Sequence, residues 1–408
     1  MSDASGTSRG ASHTEDLRVP ASAQDVRLPE GREIGRIVGD VPGPTLIAIA
    51  GIHGNERAGV TAAHRVLATL SRRQGKVRGE LVALAGNIGA MRLGVRYRDR
   101  DMNSVWTKER IADVEARAKA GGPLDAEDEE QLELLGAIRA AIARARGPVH
   151  LIDLHTTSAH GLPFVLFGDT LRQRRFTSAL PLPLVIGLEE QLDGTLSSFC
   201  TTQGIITCAV EGGQHDDPGS ADNLEAVLLL GAESAGVFGP GILTETAAAY
   251  ALLERRRGDL PRVMEVVSRR AITAADEFVM EPGFLNLARA RAGQLLARDR
   301  NGPIRAQKDG FVILPLYQGQ GADGFFWGRE LSPARMRVSE VLRHMKLERF
   351  LHLLPGIARD PAQPERLVVD ERASQVYRLD MFHMLGYRRV RKDASRLTIE
   401  RQPDAAAH

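Results

Sequence analysis

Leu46-Ile47-Ala48-Ile49-Ala50-Gly51-Ile52-His53-Gly54-Asn55-Glu56 is the stretch on which the fold turns. Its first five residues are apolar without alternation, the pattern of a strand covered by helices on both faces. From Glu56 the period changes, and Val60, Ala63, Leu67 and Leu70 recur on one helical face. His53 and Glu56 therefore fall in a strand-to-helix turn whose glycines keep side chains out of the way. Two later apolar runs end similarly: residues 149–154 run into His155, and residues 205–210 run into Glu211. Ligands of open α/β sheets collect where parallel strands end, so the three ends predict one site.

The residue types suit zinc. A catalytic zinc takes three protein ligands and keeps one position for water, whose pKa then falls to about 7. His53, Glu56 and His155 supply the three ligands. Glu211 is then left to take a proton during attack and return it to the leaving amine, because a fourth donor would block the reaction. Alternation along the second run puts Asp153 on the face of His155, where it either orients the ring through its second nitrogen or caps a neighbouring loop. His150 lies on the opposite face and reads as structural.

Composition narrows the function classes. A chain of 408 residues, 43% hydrophobic, buries a sizeable core and suits two domains. With 53 basic and 52 acidic residues the net charge is +1, so no overall field draws nucleic acid or an anionic membrane, and neither is expected as a partner. A small-molecule substrate fits better, and a homo-oligomer is left open. The two cysteines, Cys200 and Cys208, argue for a reducing compartment and read as core thiols. The segment 1–24 is rich in Ser, Ala and Thr without a signal-peptide core, and no apolar stretch reaches membrane-spanning length, so a cytoplasmic location is expected.

Along the chain, residues 32–38 and 81–85 read as strands, and residues 91–106 as a charge-dense loop at the mouth of the sheet. An Asp cap at Asp125, an acidic first turn and Leu132, Leu135, Ile138 and Ile142 on one face predict a helix that Gly147 and Pro148 stop. Residues 164–167 read as a strand, and 193–202, 221–231 and 245–257 as helices. The alternation of strand and helix predicts an α/β fold, a mostly parallel, mixed sheet with helices on both faces. Beyond a boundary near 258–261, regularly spaced glycines separate short apolar pieces, which predicts a smaller β-rich domain. The expected organisation is a flexible tail over 1–30, a catalytic domain over 31–258 and a β-rich C-terminal domain over 259–408.

Taken together, Gly51-Ile52-His53-Gly54-Asn55-Glu56, then Asn87, Arg96-Tyr97 and Asp101-Met102-Asn103, then Asp153-Leu154-His155-Thr156-Thr157 and Val210-Glu211-Gly212-Gly213 resemble the succinylglutamate desuccinylase and aspartoacylase family of the zinc carboxypeptidase superfamily. The resemblance implies zinc at His53, Glu56 and His155, with Glu211 as general base and acid. It implies that Arg96 polarises the scissile carbonyl and stabilises the oxyanion. It further implies that Asn103, with Tyr97 beside Arg96, serves substrate binding, and that a β-rich second domain narrows the entrance. Two departures bear on specificity. Members acting on N-acyl aspartate or glutamate usually follow the Asn of the second motif with Arg, where Ser104 stands here, and residues 196–203 contain no basic residue where an Arg can precede the catalytic Glu. An aromatic from the second domain has three candidates, Tyr317, Phe325 and Phe326. The leading expectation is a zinc amidohydrolase acting on a small N-acyl amine or amino acid whose amine portion carries at most one carboxylate. The alternatives are a metallocarboxypeptidase and a catalytically silent binding module on the same fold. His160 and His215 read as rim residues of the pocket.

Overall fold

The computed structural model describes residues 28–361, 363, 366–370, 372–373, 377, 379–392 and 396–401; the tail expected over 1–30 lies outside the described residues up to residue 27. Chain order is β1 (Glu33–Val38), β2 (Val41–Ala50), α1 (Ala58–Ser71), β3 (Arg78–Ala85), α2 (Ile88–Leu93), α3 (Lys108–Lys119), α4 (Ala126–Arg144), β4 (Val149–Thr157) and β5 (Phe164–Leu166). There follow α5 (Leu171–Thr177), β6 (Leu184–Ile186), α6 (Leu196–Thr202), β7 (Ile206–Gln214), α7 (Pro218–Ala235), α8 (Glu245–Arg257) and β8 (Val263–Ala271).

β2 is buried on both sides, and its alternation sorts the two cores. Leu46, Ala48 and Ala50 join one apolar cluster with α1 and α7, while Ile47 and Ile49 join another with Leu134 and Ile138 of α4 and Leu196 of α6. Fully burying each Leu or Ile stabilises by about 1.5–3 kcal/mol, so the middle of the strand is held firmly and its end is free to carry polar groups. β2 pairs in parallel with β3 and β4, and β4 with β7. The predicted Asp125 cap is present, its carboxylate accepting the Asp128 N–H in a reciprocal capping box at the start of α4.

The main sheet has eleven strands and is mixed, in agreement with the expected fold class. It runs through the boundary expected near 258–261: β8 pairs in parallel with β6, and the sheet continues antiparallel into three strands of the second half. After β9 (Val279–Met280), β10 (Ala288–Ala290), β11 (Leu295–Asp299) and β12 (Gly302–Arg305), these are completed by β13 (Gly310–Ile313) and β14 (Asp323–Glu330). The edge order is β8, β14, β13, β10, and β9, β11 and β12 form a separate small sheet. A last unit follows, with α9 (Pro333–His344), β15 (Ile357–Arg359), β16 (Arg366–Asp370), the short helix α10 (Leu379–Met384), β17 (Tyr387–Lys392) and β18 (Arg396–Arg401). Its four strands pair antiparallel over a core of their own that includes Leu367, Val369, Phe382 and Ile399.

Candidate active site

The turn after β2 is shaped by two glycines. Gly51 takes φ +73°, a left-handed conformation that L side chains rarely adopt, and a Cβ on Gly54 would lie 2.2 Å from the Ala90 backbone carbon. The turn swings His53 and Glu56 over the sheet end while α1 begins behind them. Parallel register does the rest: Ala50 stands beside Leu154 and His155 beside Glu211, so the ends of β2, β4 and β7 meet.

The three side chains converge. Donor atoms of His53, Glu56 and His155 all lie within 4.8 Å of one another, and all three residues are buried. His53 Nδ1 is 2.7 Å from Glu56 Oε1 and His155 Nδ1 is 3.1 Å from Glu56 Oε2. The far nitrogens are held from behind: His53 Nε2 is 3.1 Å from Asp101 Oδ1, and His155 Nε2 is 2.9 Å from Asp153 Oδ2. Asp153 thus contacts the ring nitrogen of His155 that Glu56 does not. The Thr156 N–H donates to Glu56 Oε2 at 3.0 Å and fixes that carboxylate.

Arg96 arrives on the loop after α2. Glu127, buried in the first turn of α4, accepts the backbone N–H groups of Arg98, Asp99 and Arg100, while Asn87 caps α2 and donates to the same carboxylate. So pinned, the loop turns Arg96 inward, with Nε and NH2 on Asp101 Oδ2 at 3.1 and 3.0 Å and NH1 3.3 Å from Glu56 Oε1. Arg98 and Arg100 point outward, toward Ala126 and Asp125.

Charge in this cluster is strongly perturbed. Burial works to raise the Glu56 carboxyl, but His53 and His155 outweigh it and hold the group well below the usual range. Burial alone would lower His155, whose pKa is instead raised well above normal by Asp153 and Glu56. Glu211 goes the other way: burial pushes it up to about 8. Its Oε2 is buried without a hydrogen-bond partner among the described residues. Two imidazoles and a carboxylate whose donor atoms lie within 4.8 Å of one another are a set that fits zinc chemically, two nitrogens and one oxygen.

The cluster forms the floor of a cavity of about 590 Å³, which Tyr97, Asn103 and Ser104 also line. Asn103 Oδ1 accepts the Leu196 N–H at 3.0 Å, which fixes the amide's orientation. The second half of the chain supplies the opposite wall. Of the three aromatics considered there, only Phe326 lines the cavity; the Tyr317 hydroxyl is turned away onto Glu281 O at 2.7 Å, and Phe325 packs near Phe278. Sequence reasoning missed Asp101 as the partner of both Arg96 and His53, and missed Gln318. The Gln318 Oε1 receives His215 Nε2 at 3.3 Å and Asn55 Nδ2 at 3.5 Å, while His215 Nδ1 meets Thr156 Oγ1 at 2.8 Å. His215 lines the cavity, but His160 is exposed and does not. Cys200 and Cys208 are buried thiols whose pKa burial raises. Among the described residues no helix is long and apolar enough to cross a membrane.

Residues 42–230 match the family described as the succinylglutamate desuccinylase/aspartoacylase catalytic domain. The succinylglutamate desuccinylase of Burkholderia pseudomallei is 28% identical over 267 residues, covering 62% of this chain and 70% of that one. The enzyme of the same name from Pseudomonas syringae is 36% identical over 84 residues, 21% of this chain and 23% of that one. Among solved structures, a succinylglutamate desuccinylase/aspartoacylase from Rhodobacter sphaeroides shares the fold at a TM-score of 0.52 and 19% identity, over 72% of this chain and 87% of that one. The product-bound ectoine utilization protein EutE of Ruegeria pomeroyi does so at 0.52 and 19%, over 71% and 87%.

Proposed function

Through residues 42–230 the chain belongs to the succinylglutamate desuccinylase/aspartoacylase family of hydrolases, and from that premise we propose a zinc-dependent deacylase that cleaves the amide bond of a small N-acyl amine or N-acyl amino acid. The observation that supports it most is the convergence of His53, Glu56 and His155 under a cavity that the buried Glu211 also lines. A zinc ion held by those three residues supplies Lewis acidity that makes water nucleophilic near neutral pH.

The chain's own groups do the rest. Glu211, whose carboxyl holds a proton readily in its buried setting, takes one from the attacking water and returns it to the leaving amine. Arg96, fixed by Asp101, aims a guanidinium at the carbonyl oxygen as negative charge develops there. Asp101 and Asp153 hold the far nitrogens of His53 and His155, which sets the tautomer that presents Nδ1 to the metal side. Tyr97 and the Asn103 amide contact the substrate. Arg98 and Arg100 point outward and Arg92 does not line the cavity, so no loop arginine serves as a second carboxylate fork, and an amine portion with at most one carboxylate fits. A cytoplasmic location belongs to the same proposal.

The test is a turnover screen of zinc-loaded protein against N-acetylaspartate, N-succinylglutamate, neutral N-acetyl amino acids and short peptides. The expected result is hydrolysis of neutral N-acetyl amino acids with poor use of both dicarboxylic compounds. Release of C-terminal residues from peptides alone would move the assignment to a carboxypeptidase, and preference for a dicarboxylic amine portion would reject the specificity proposed.

A further inference from the structure

One wall of the large cavity faces two ways. Between β6 and α6 the chain makes a helical turn, in which the N–H groups of Gln191 and Leu192 donate to the Leu188 carbonyl at 2.8 and 3.2 Å. A turn of that period puts residues i, i+1, i+4 and i+5 on one side and i+2 and i+3 on the other. Leu188, Glu189, Leu192 and Asp193 accordingly line the large cavity, while Glu190 and Gln191 line a second cavity of about 380 Å³ on the far side. That second cavity lies against the last unit of the chain, whose Asp380 and His383, both on α10, also line it.

Glu190 ties the two sides together. Its side chain is only 6% exposed; Oε2 lies 3.1 Å from His383 Nε2, and Oε1 accepts from Arg388 NH1 at 3.1 Å, so α10 and β17 both grip one carboxylate on the wall. Hydrogen bonds to an ionised carboxylate are strong and directional, so the place of Glu190 follows that of the last unit. Two further contacts hold the segment from elsewhere: Gly194 O accepts the Trp106 N–H at 2.9 Å, and Arg269 NH1, from a residue that lines the large cavity, donates to the Gln191 carbonyl at 2.8 Å. These fix its end and its backbone from the front, and Glu190 draws it from behind. Among the described residues the last unit places no side chain in the large cavity, so its influence there passes through this wall.

We propose that Glu190 is a positioning residue for substrate binding: through it the last unit, outside the residues that match the family, sets where the wall of Leu188, Glu189, Leu192 and Asp193 stands, and so the width of the cavity. The proposal rests on the deacylase reading for its kinetic readout, and backbone exchange reads it independently.

Glu211 is placed by β7 and Arg96 by Asp101, not by this wall, so a displaced wall acts on KM and spares kcat. Glu190→Asp keeps the charge and shortens the tie by one methylene. In zinc-loaded protein KM for N-acetylleucine is expected to rise about fivefold or more, with kcat within about twofold of wild type, because small misplacements around a bound substrate are costly. Glu190→Gln keeps the length and its carbonyl still accepts from Arg388, so KM should stay within about twofold. Asp169→Ala removes the carboxylate that Arg343 and Arg388 share without touching the wall, and KM should not change. Hydrogen–deuterium exchange over residues 187–195 should be faster in Glu190→Asp than in wild type or in the other two variants, since the Gln191 and Leu192 hydrogen bonds then open more often. If N-acetylleucine is not hydrolysed but exchange follows that order, the deacylase reading falls and the positioning role stands. Unchanged exchange in Glu190→Asp, an unchanged KM where the enzyme turns over, or effects as large in Glu190→Gln or Asp169→Ala would overturn it.

Discussion

Two clusters of buried charge in this molecule are built from the same residue types and are satisfied differently. Asp169, a buried residue at φ 67°, lies after β5 and takes Arg174 Nε at 2.6 Å, Arg343 NH2 at 2.8 Å and Arg388 NH2. Nearby, His383 bridges Glu190 and Glu265, each at 3.1 Å, and Arg329 joins Glu265 to Asp380. Arg343, Arg388 and His383 come from the last unit of the chain, outside the residues that match the family, so this network fastens that unit to the catalytic sheet. Glu265, Asp380 and His383 also bring donor atoms within 4.8 Å of one another, as His53, Glu56 and His155 do. The difference lies in what remains over. At Asp169 burial raises the carboxyl, but three guanidiniums outweigh it and hold the group well below its usual range. At Glu211 burial prevails and one oxygen is left orphaned in a cavity. Buried charge alone therefore does not mark the candidate site; Glu211 differs in lining a cavity with one oxygen left without a hydrogen-bond partner among the described residues.

This contrast predicts opposite phenotypes. Glu211→Gln keeps the side-chain shape and removes the proton acceptor, so kcat should fall on the order of a thousandfold or more while metal content stays unchanged, checked by steady-state kinetics with metal analysis. Retained turnover would erase the functional half of the contrast. Asp169→Ala leaves three arginines facing a buried gap, and the expected loss is about 3–5 kcal/mol of stability, seen as a lower thermal midpoint with KM of the folded protein unchanged. An unaltered midpoint would mean that the last unit is held elsewhere.

The smallest effect is expected at His383 and concerns pH. Burial lowers its pKa, but Glu190 and Glu265 raise it further, so the folded value lies above the ordinary 6.5 while Arg388 opposes from the same network. A raised folded pKa gives a contribution that is complete below the unfolded value and disappears as pH climbs through the folded one. The gap in thermal midpoint between wild type and His383→Gln should therefore narrow from about pH 6 to about pH 9. A gap that widens on the alkaline side would show that His383 works through neutral hydrogen bonds.

The residues of the candidate site were legible because three of them stand at or just beyond the end of an apolar run: β2 leads to His53, β4 carries His155 and β7 carries Glu211. The period of two along β4 also put Asp153 beside His155. Local patterns carry no record of long-range pairing, and there the reading stopped. Asp169 meets Arg388 across 219 residues, and His215 meets Gln318 across 103, with no periodicity to announce either. α3 passed unread because its charged sequence buries only Ile111 and Val114. The expected boundary near 258–261 falls inside one sheet, since β8 just beyond it pairs in parallel with β6 on one side and antiparallel with β14 on the other.

The central claim is that His53, Glu56 and His155 are the metal ligands. Its most direct test is a zinc competition titration of wild-type protein and His155→Ala against a chelator of known affinity. The account predicts about one tightly held zinc per chain in the wild type and loss of most of it in the variant, because one of only three ligands is gone. Equal zinc retention by the two proteins would contradict it.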